Sequence, residues 1–129
     1  MNYGIKRYNQ NTAAIMDSRQ VEIMAFGQSI VLLRGVNNKK TRLHALNMNQ
    51  KLWSAILRET GIENNGMPEN LRQNLFKLSV WATRYSIRAM LHDLPLKPLI
   101  SINQDMLDGL KNKKPDLLKS ENFDSHLIS

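Results

Sequence analysis

Residues 68–91 read PENLRQNLFKLSVWATRYSIRAML, and their spacing decides how the rest of the chain is arranged. At about 100° of advance per residue, Leu71, Leu75, Leu78, Ala82, Tyr85 and Ala89 share one face, with Trp81 on its flank. Phe76, Val80, Ile87 and Leu91 fall roughly opposite. A helix with one apolar stripe lies on the outside of a core, whereas one with two is expected to be sandwiched between neighbours. The segment is therefore predicted to be the central, two-faced helix of the fold. Gln73, Lys77, Arg84 and Arg88 run between its stripes and should reach solvent as a basic ridge.

Before this helix, Gly61 and the run Glu63-Asn64-Asn65-Gly66 act as breakers, and Pro68 suits a first helical turn because no amide donor is needed there. Residues 39–60 form the preceding helix. Ala45, Leu46, Met48, Leu52, Trp53, Ile56 and Leu57 cover about half of its circumference. Asn49 falls in the middle of that apolar side, where an unpaired amide would cost about 1–3 kcal/mol. It is expected to be buried and bonded, with a neighbouring backbone as one partner to consider. Further upstream, Asp17 and Gln20 have the spacing of a capping box that opens a helix over 17–35, striped by Ile23, Phe26, Ile30 and Leu33. Gly35 and Asn37-Asn38 supply its stop.

On the other side, Pro95 and Pro98 in HDLPLKP force an extended turn. A fourth helix over 98–110 carries Leu99, Ile102, Met106 and Leu110, with Asn103 set among them as a second amide on an apolar face. Strand-like alternation is missing throughout. The expected fold is all-α: a small single-domain bundle of about four helices over residues 17–111, with an N-terminal arm (1–16) and a mobile C-terminal tail (112–129) broken by Pro115.

The 129 residues suit one core, and the net charge of +7 is concentrated in the first half. Residues 1–66 hold nine basic and four acidic side chains, and residues 67–129 hold nine and seven. An acidic partner is allowed, although lysine and arginine clusters commonly serve as solubilising surface. Cysteine is absent, no apolar run approaches the roughly 20 residues of a membrane span, and the opening residues lack a signal-peptide core, so a soluble cytoplasmic protein is expected. His44, His92 and His126 lie far apart, Glu59 and Glu63 straddle a helix end, and no glycine-rich phosphate loop or Gly-x-Ser-x-Gly turn occurs. Neither an enzyme nor a cofactor or metal site is expected. Trp53 and Trp81 suit a core, but tryptophan beside arginine, as in Trp81 to Arg88, is also the composition of an interface hot spot.

Several blocks carry a resemblance. Asp17 to Glu22, DSRQVE, is similar at Arg19 and Glu22 to a Ser-Pro-Arg-Glu-x-Glu opening, with Ser18 where the proline would stand. Asn49, Leu52 and Trp53 match an Asn-(Arg/Lys)-x-Leu-Trp pattern, with Gln50 in place of the basic residue. Met67 to Arg72 and Leu78 to Ser86 match Leu-Pro-x-x-Leu-Arg and Ser-Leu-x-x-Trp-Val-x-Arg, and Pro98 to Asn103 followed by Met106 and Gly109-Leu110 resembles the closing block. Over roughly residues 17–110 the chain thus resembles the FlaF family of flagellar biosynthesis regulators from alphaproteobacteria.

The resemblance implies a small helical cytoplasmic protein, not an enzyme, needed for flagellin production and export, acting on flagellin and opposed by the translational regulator FlbT. Flagellin's terminal segments are expected to be amphipathic, and a helical bundle covers such a segment in a groove through i, i+3, i+4 and i+7 contacts. A flagellin-binding secretion chaperone is the favoured reading. Direct contact with flagellin messenger RNA, through the basic ridge or Lys39, Lys40 and Arg42, is the alternative, and a protein–protein adaptor is a third. Trp81, Arg84, Arg88, Lys77, Asn49, Trp53 and Asn103 are the candidate partner-binding residues.

Overall fold

The computed structural model describes residues 18–112, and the N-terminal arm and C-terminal tail lie outside the described residues. Four helices follow one another: α1 (Ser18–Arg34), α2 (Lys39–Thr60), α3 (Glu69–Leu91) and α4 (Lys97–Lys111). No strand occurs among the described residues. The small all-α bundle is as the periodicity predicts, with helix ends within two residues of those expected.

Local chemistry sets the ends. Asn38 caps α2 by accepting from the Thr41 amide at 2.8 Å, while the Thr41 hydroxyl accepts from the Asn38 amide at 3.1 Å. This capping box satisfies two otherwise orphaned amides. At the far end of α2, Thr60 donates back to the Ile56 carbonyl, and the chain then turns through Asn64 (φ 58°) and Gly66 (φ 93°). Both residue types tolerate the left-handed region better than most. In α4, Pro98 falls in the first turn, where its missing amide is harmless.

Helices α2 and α3 form a long antiparallel hairpin, tied at each end by an arginine. Arg42, near the start of α2, donates to the carbonyls of Ala89 (3.1 Å) in the last turn of α3 and of Leu94 (2.7 Å) in the loop that follows it. Arg72, near the start of α3, donates to the Thr60 carbonyl at the end of α2 (2.7 Å) and forks onto Glu69. Each cation thereby meets the negative end of the neighbouring helix dipole. The hydrogen bonds from Arg72 and then Gln73 hold the exposed Glu69 carboxyl below the usual carboxylate range. Helices α1 and α4 pack together, α1 also meets α2, and α4 touches α3 more lightly.

The core divides into two apolar clusters. One joins Phe26, Ile30, Trp53, Leu75, Leu78, Ala82, Ile102, Met106 and Leu107; the other joins Leu33, Ala45, Leu46, Ala89 and Leu99. Phe26 meets Trp53 edge to face, ring centres 5.5 Å apart. Trp81 packs partly against both clusters, and its ring lies 5.1 Å from that of Tyr85. The Tyr85 hydroxyl donates to the Pro95 carbonyl, holding the α3–α4 loop down, and partial burial raises its pKa.

In one respect the architecture departs from expectation. The first stripe of α3 is buried as predicted, but the second is not: Phe76 is 39% exposed, Ile87 43% and Leu91 74%, with Val80 half-buried. The bundle lies on one side of α3 only, so no neighbour within the described chain closes the sandwich.

Candidate partner-binding surface

The residues singled out in the sequence separate into two groups. Asn49, Trp53 and Asn103 are all fully buried. The Trp53 indole nitrogen donates to Asn103 Oδ1 at 2.8 Å, and Asn103 Nδ2 donates to Asn49 Oδ1 at 2.7 Å and to Ser29 Oγ at 3.2 Å. Ser29 Oγ donates to Asn49 Oδ1 at 2.8 Å, Asn49 Nδ2 donates to Ser86 Oγ at 2.9 Å, and Ser86 Oγ donates in turn to the Ala82 carbonyl at 2.7 Å. One network thus links all four helices.

Its position follows from the sequence of each helix. Ser29 lies between Phe26 and Leu33, Asn49 between Leu46 and Trp53, Ser86 between Ala82 and Ala89, and Asn103 between Leu99 and Met106. Each polar residue therefore separates a member of one apolar cluster from a member of the other. Buried amides and hydroxyls are tolerated when mutually satisfied. The two amides are buried and partnered as expected, though by side chains of other helices rather than by backbone. As partner contacts, Asn49, Trp53 and Asn103 are to be corrected: no part of them reaches the surface of the folded chain.

Lys77, Arg84 and Arg88 are exposed, and their side chains make no hydrogen bond or ion pair with another described residue. Trp81 stands half-buried beside them. On the other side of this basic row runs the uncovered stripe of Phe76, Val80, Ile87 and Leu91. From Phe76 to Leu91 the strip is about 22 Å long, at 1.5 Å of rise per residue. Beyond each end lies a solvent-open depression. One, of about 270 Å3, is lined by Gly61, Arg72, Phe76 and Lys77. The other, of about 660 Å3, is lined by Lys39, Arg42, Leu43, Leu46, Met90 and Leu91. The exposed Leu43 on α2 extends the strip across the hairpin, and no sequence signal had assigned it a role.

Between the strip and the buried face sits Thr83, whose hydroxyl is the one buried side-chain polar atom lacking a partner among the described residues. The same residues contain no cluster of His, Cys, Asp or Glu able to hold a metal ion, and no helix long and apolar enough to cross a membrane.

A family model described as flagellar protein FlaF matches residues 4–110. The match takes in most of the first sixteen residues, which the motif resemblance did not cover. Comparison with curated proteins and with solved structures finds no match. Set on the structure, the motif positions Asn49, Trp53 and Asn103 hold the helices together, Arg72 ties the hairpin, and Arg84 alone among these stands free at the surface. With the match spanning most of the chain and all four helices, this protein belongs to the FlaF family of flagellar proteins, a regulatory and accessory family rather than an enzyme family.

Proposed function

We propose that the protein is a flagellin-binding secretion chaperone of the cytoplasm, whose occupancy informs flagellin synthesis and export. The observation that carries this reading is the open apolar strip of α3 flanked along its length by the unpaired cations Lys77, Arg84 and Arg88. A strip about 22 Å long accepts about four turns of an amphipathic helix, with apolar side chains against Phe76, Ile87 and Leu91 and acidic ones along the basic row. Interfaces of this kind place apolar contacts centrally and charge at the rim. Arg84 supports it further, because a motif residue with no bond inside the fold is free for a partner.

The test is calorimetric titration of the full chain with purified flagellin at low and moderate salt. Arg84→Glu/Arg88→Glu should leave the melting temperature nearly unchanged, since exposed charges add little to stability, and should weaken flagellin binding about tenfold or more. Unchanged affinity in that variant would move the flagellin site to another face. Tight binding to flagellin messenger RNA with a steep loss on adding salt would instead favour the RNA reading of the same cations.

A further inference from the structure

The turn between α2 and α3 contains Asn65-Gly66, the one place in the sequence where asparagine precedes glycine. Asparagine is a chemically labile residue, because the backbone nitrogen that follows it attacks its side-chain carbonyl carbon. Glycine, with no side chain, leaves that approach most open.

The fold presents this pair for the reaction. Asn65 Oδ1 accepts from the Met67 amide at 3.0 Å. The ring closed by that hydrogen bond contains the Gly66 nitrogen, so the bond bends the side chain back toward its attacker and draws electron density from Cγ. Asn65 Nδ2 donates to the Glu59 carbonyl at 3.0 Å, which fixes the orientation of the amide. Gly66 is exposed, with φ 93°, and a side-chain carbon built on it meets no atom within 4 Å, which leaves room for water and a tetrahedral adduct. Its amide donates to no described atom, so no hydrogen bond has to break before it attacks. The comparable pair Asp108-Gly109 lies inside α4 instead, where the glycine amide is engaged in the helical ladder.

We infer that Asn65 is a site of spontaneous deamidation and isomerisation in the folded protein. The Gly66 amide gives its proton to hydroxide, and its nitrogen bonds to Asn65 Cγ. The Cγ–Nδ2 bond then breaks, Nδ2 leaves as ammonia with a proton taken from water, and a cyclic imide remains. Water opens the imide at either carbonyl. Cleavage of the bond to Cγ gives aspartate, whereas cleavage at the main-chain carbonyl gives isoaspartate, in which the backbone runs through Cβ and Cγ. In both cases amide and water become carboxylate and ammonium. Both products remove the donor to the Glu59 carbonyl and set a negative charge at the carbonyl end of α2, the unfavourable end of its dipole. Isoaspartate also lengthens the main chain by one carbon and so breaks the turn to Met67. The hairpin is loosened irreversibly at the end that Arg72 ties.

The test is incubation of the full folded chain in mildly alkaline buffer, with a parallel sample in urea and a fresh sample digested alongside as background. Tryptic cleavage after Arg58 and Arg72 isolates the turn. Tandem mass spectrometry should show Asn65 converted to aspartate and isoaspartate, the latter in excess, while Asn64 and Asn70 in the same peptide stay intact. Methyl labelling by isoaspartyl methyltransferase should rise on the same time course, in proportion to hydroxide, and vanish in Asn65→Gln. The folded chain should react within about tenfold of the urea-unfolded one, a barrier difference under about 1.4 kcal/mol. Aged protein should melt below fresh protein, and Asn65→Asp, which carries the charge without the longer backbone, should fall between them. The proposal is overturned if Asn65 reacts only in urea, if labelling persists in Asn65→Gln, or if aged and fresh protein melt alike.

Discussion

Truncating Trp53 to alanine should leave the protein barely folded. The change removes the largest fully buried side chain, breaks its edge-to-face contact with Phe26 and strips Asn103 Oδ1 of its donor. Large-to-small aromatic truncation costs about 3–5 kcal/mol, and an orphaned buried acceptor adds about 1–3. Whole domains have only about 5–15 kcal/mol to lose. Urea unfolding followed by circular dichroism reads the effect, and Trp53→Phe separates its parts. The phenyl ring keeps most of the packing, so its cost should fall to about 1–3 kcal/mol, mainly the missing indole donor. Equal losses in the two variants would show that the hydrogen bond, not the ring, holds this part of the core.

Asn103→Asp, nearly without change of shape, should be almost as damaging and should depend on pH. Asn103 Nδ2 donates to Asn49 Oδ1 and Ser29 Oγ, and a carboxylate oxygen in its place has no proton to give. A buried charge facing an acceptor costs about 3–5 kcal/mol when ionised. Burial therefore raises the folded-state pKa of the new group above the ordinary aspartate value of about 4. With the native state holding the proton more tightly than the unfolded one, stability is retained at acid pH and falls as pH rises above about 4. Relative to the parent chain, urea midpoints should therefore be closest near pH 4 and diverge toward pH 7. A difference independent of pH would mean that the carboxyl group has found water or a cation.

Much of this was open to reading in the sequence, for reasons that also set the limits. The stripes of all four helices came from the 3.6-residue period alone, and so did the burial of Asn49 and Asn103, because an amide set among apolar residues at helical spacing faces the core. The partners of those amides did not come with it. Periodicity fixes the side of a helix a residue occupies but not which residue of another helix stands opposite, so Ser29 and Ser86, ordinary small polar residues, gave no sign of belonging to a network. The expected sandwich of α3 failed for a related reason. Two stripes show that a helix has two apolar faces, not that the same chain covers both; Ile87 and Leu91 stay open. The Asn38–Thr41 capping box is masked in the sequence because the Asn37-Asn38 pair equally suits the stop of the helix before it. Of the candidate surface, the basic row was legible and the depressions at its two ends were not, since they are lined by residues from the facing ends of α2 and α3 that spacing along one helix does not bring together.

The network joining the helices also bears on how fast the bundle comes apart. The hairpin of α2 and α3 is the most extensive pairing between helices consecutive in sequence, and low sequence separation favours early formation. Asn103 meets Asn49 across 54 residues and Ser29 across 74, contacts that close only when α4 docks. Bonds completed after the folding barrier act as latches: their loss raises the unfolding rate and leaves the refolding rate nearly untouched. The residues that hold this fold at equilibrium are then those that set its lifetime, and a stopped-flow chevron of Asn103→Leu should steepen no limb but lift the unfolding arm alone.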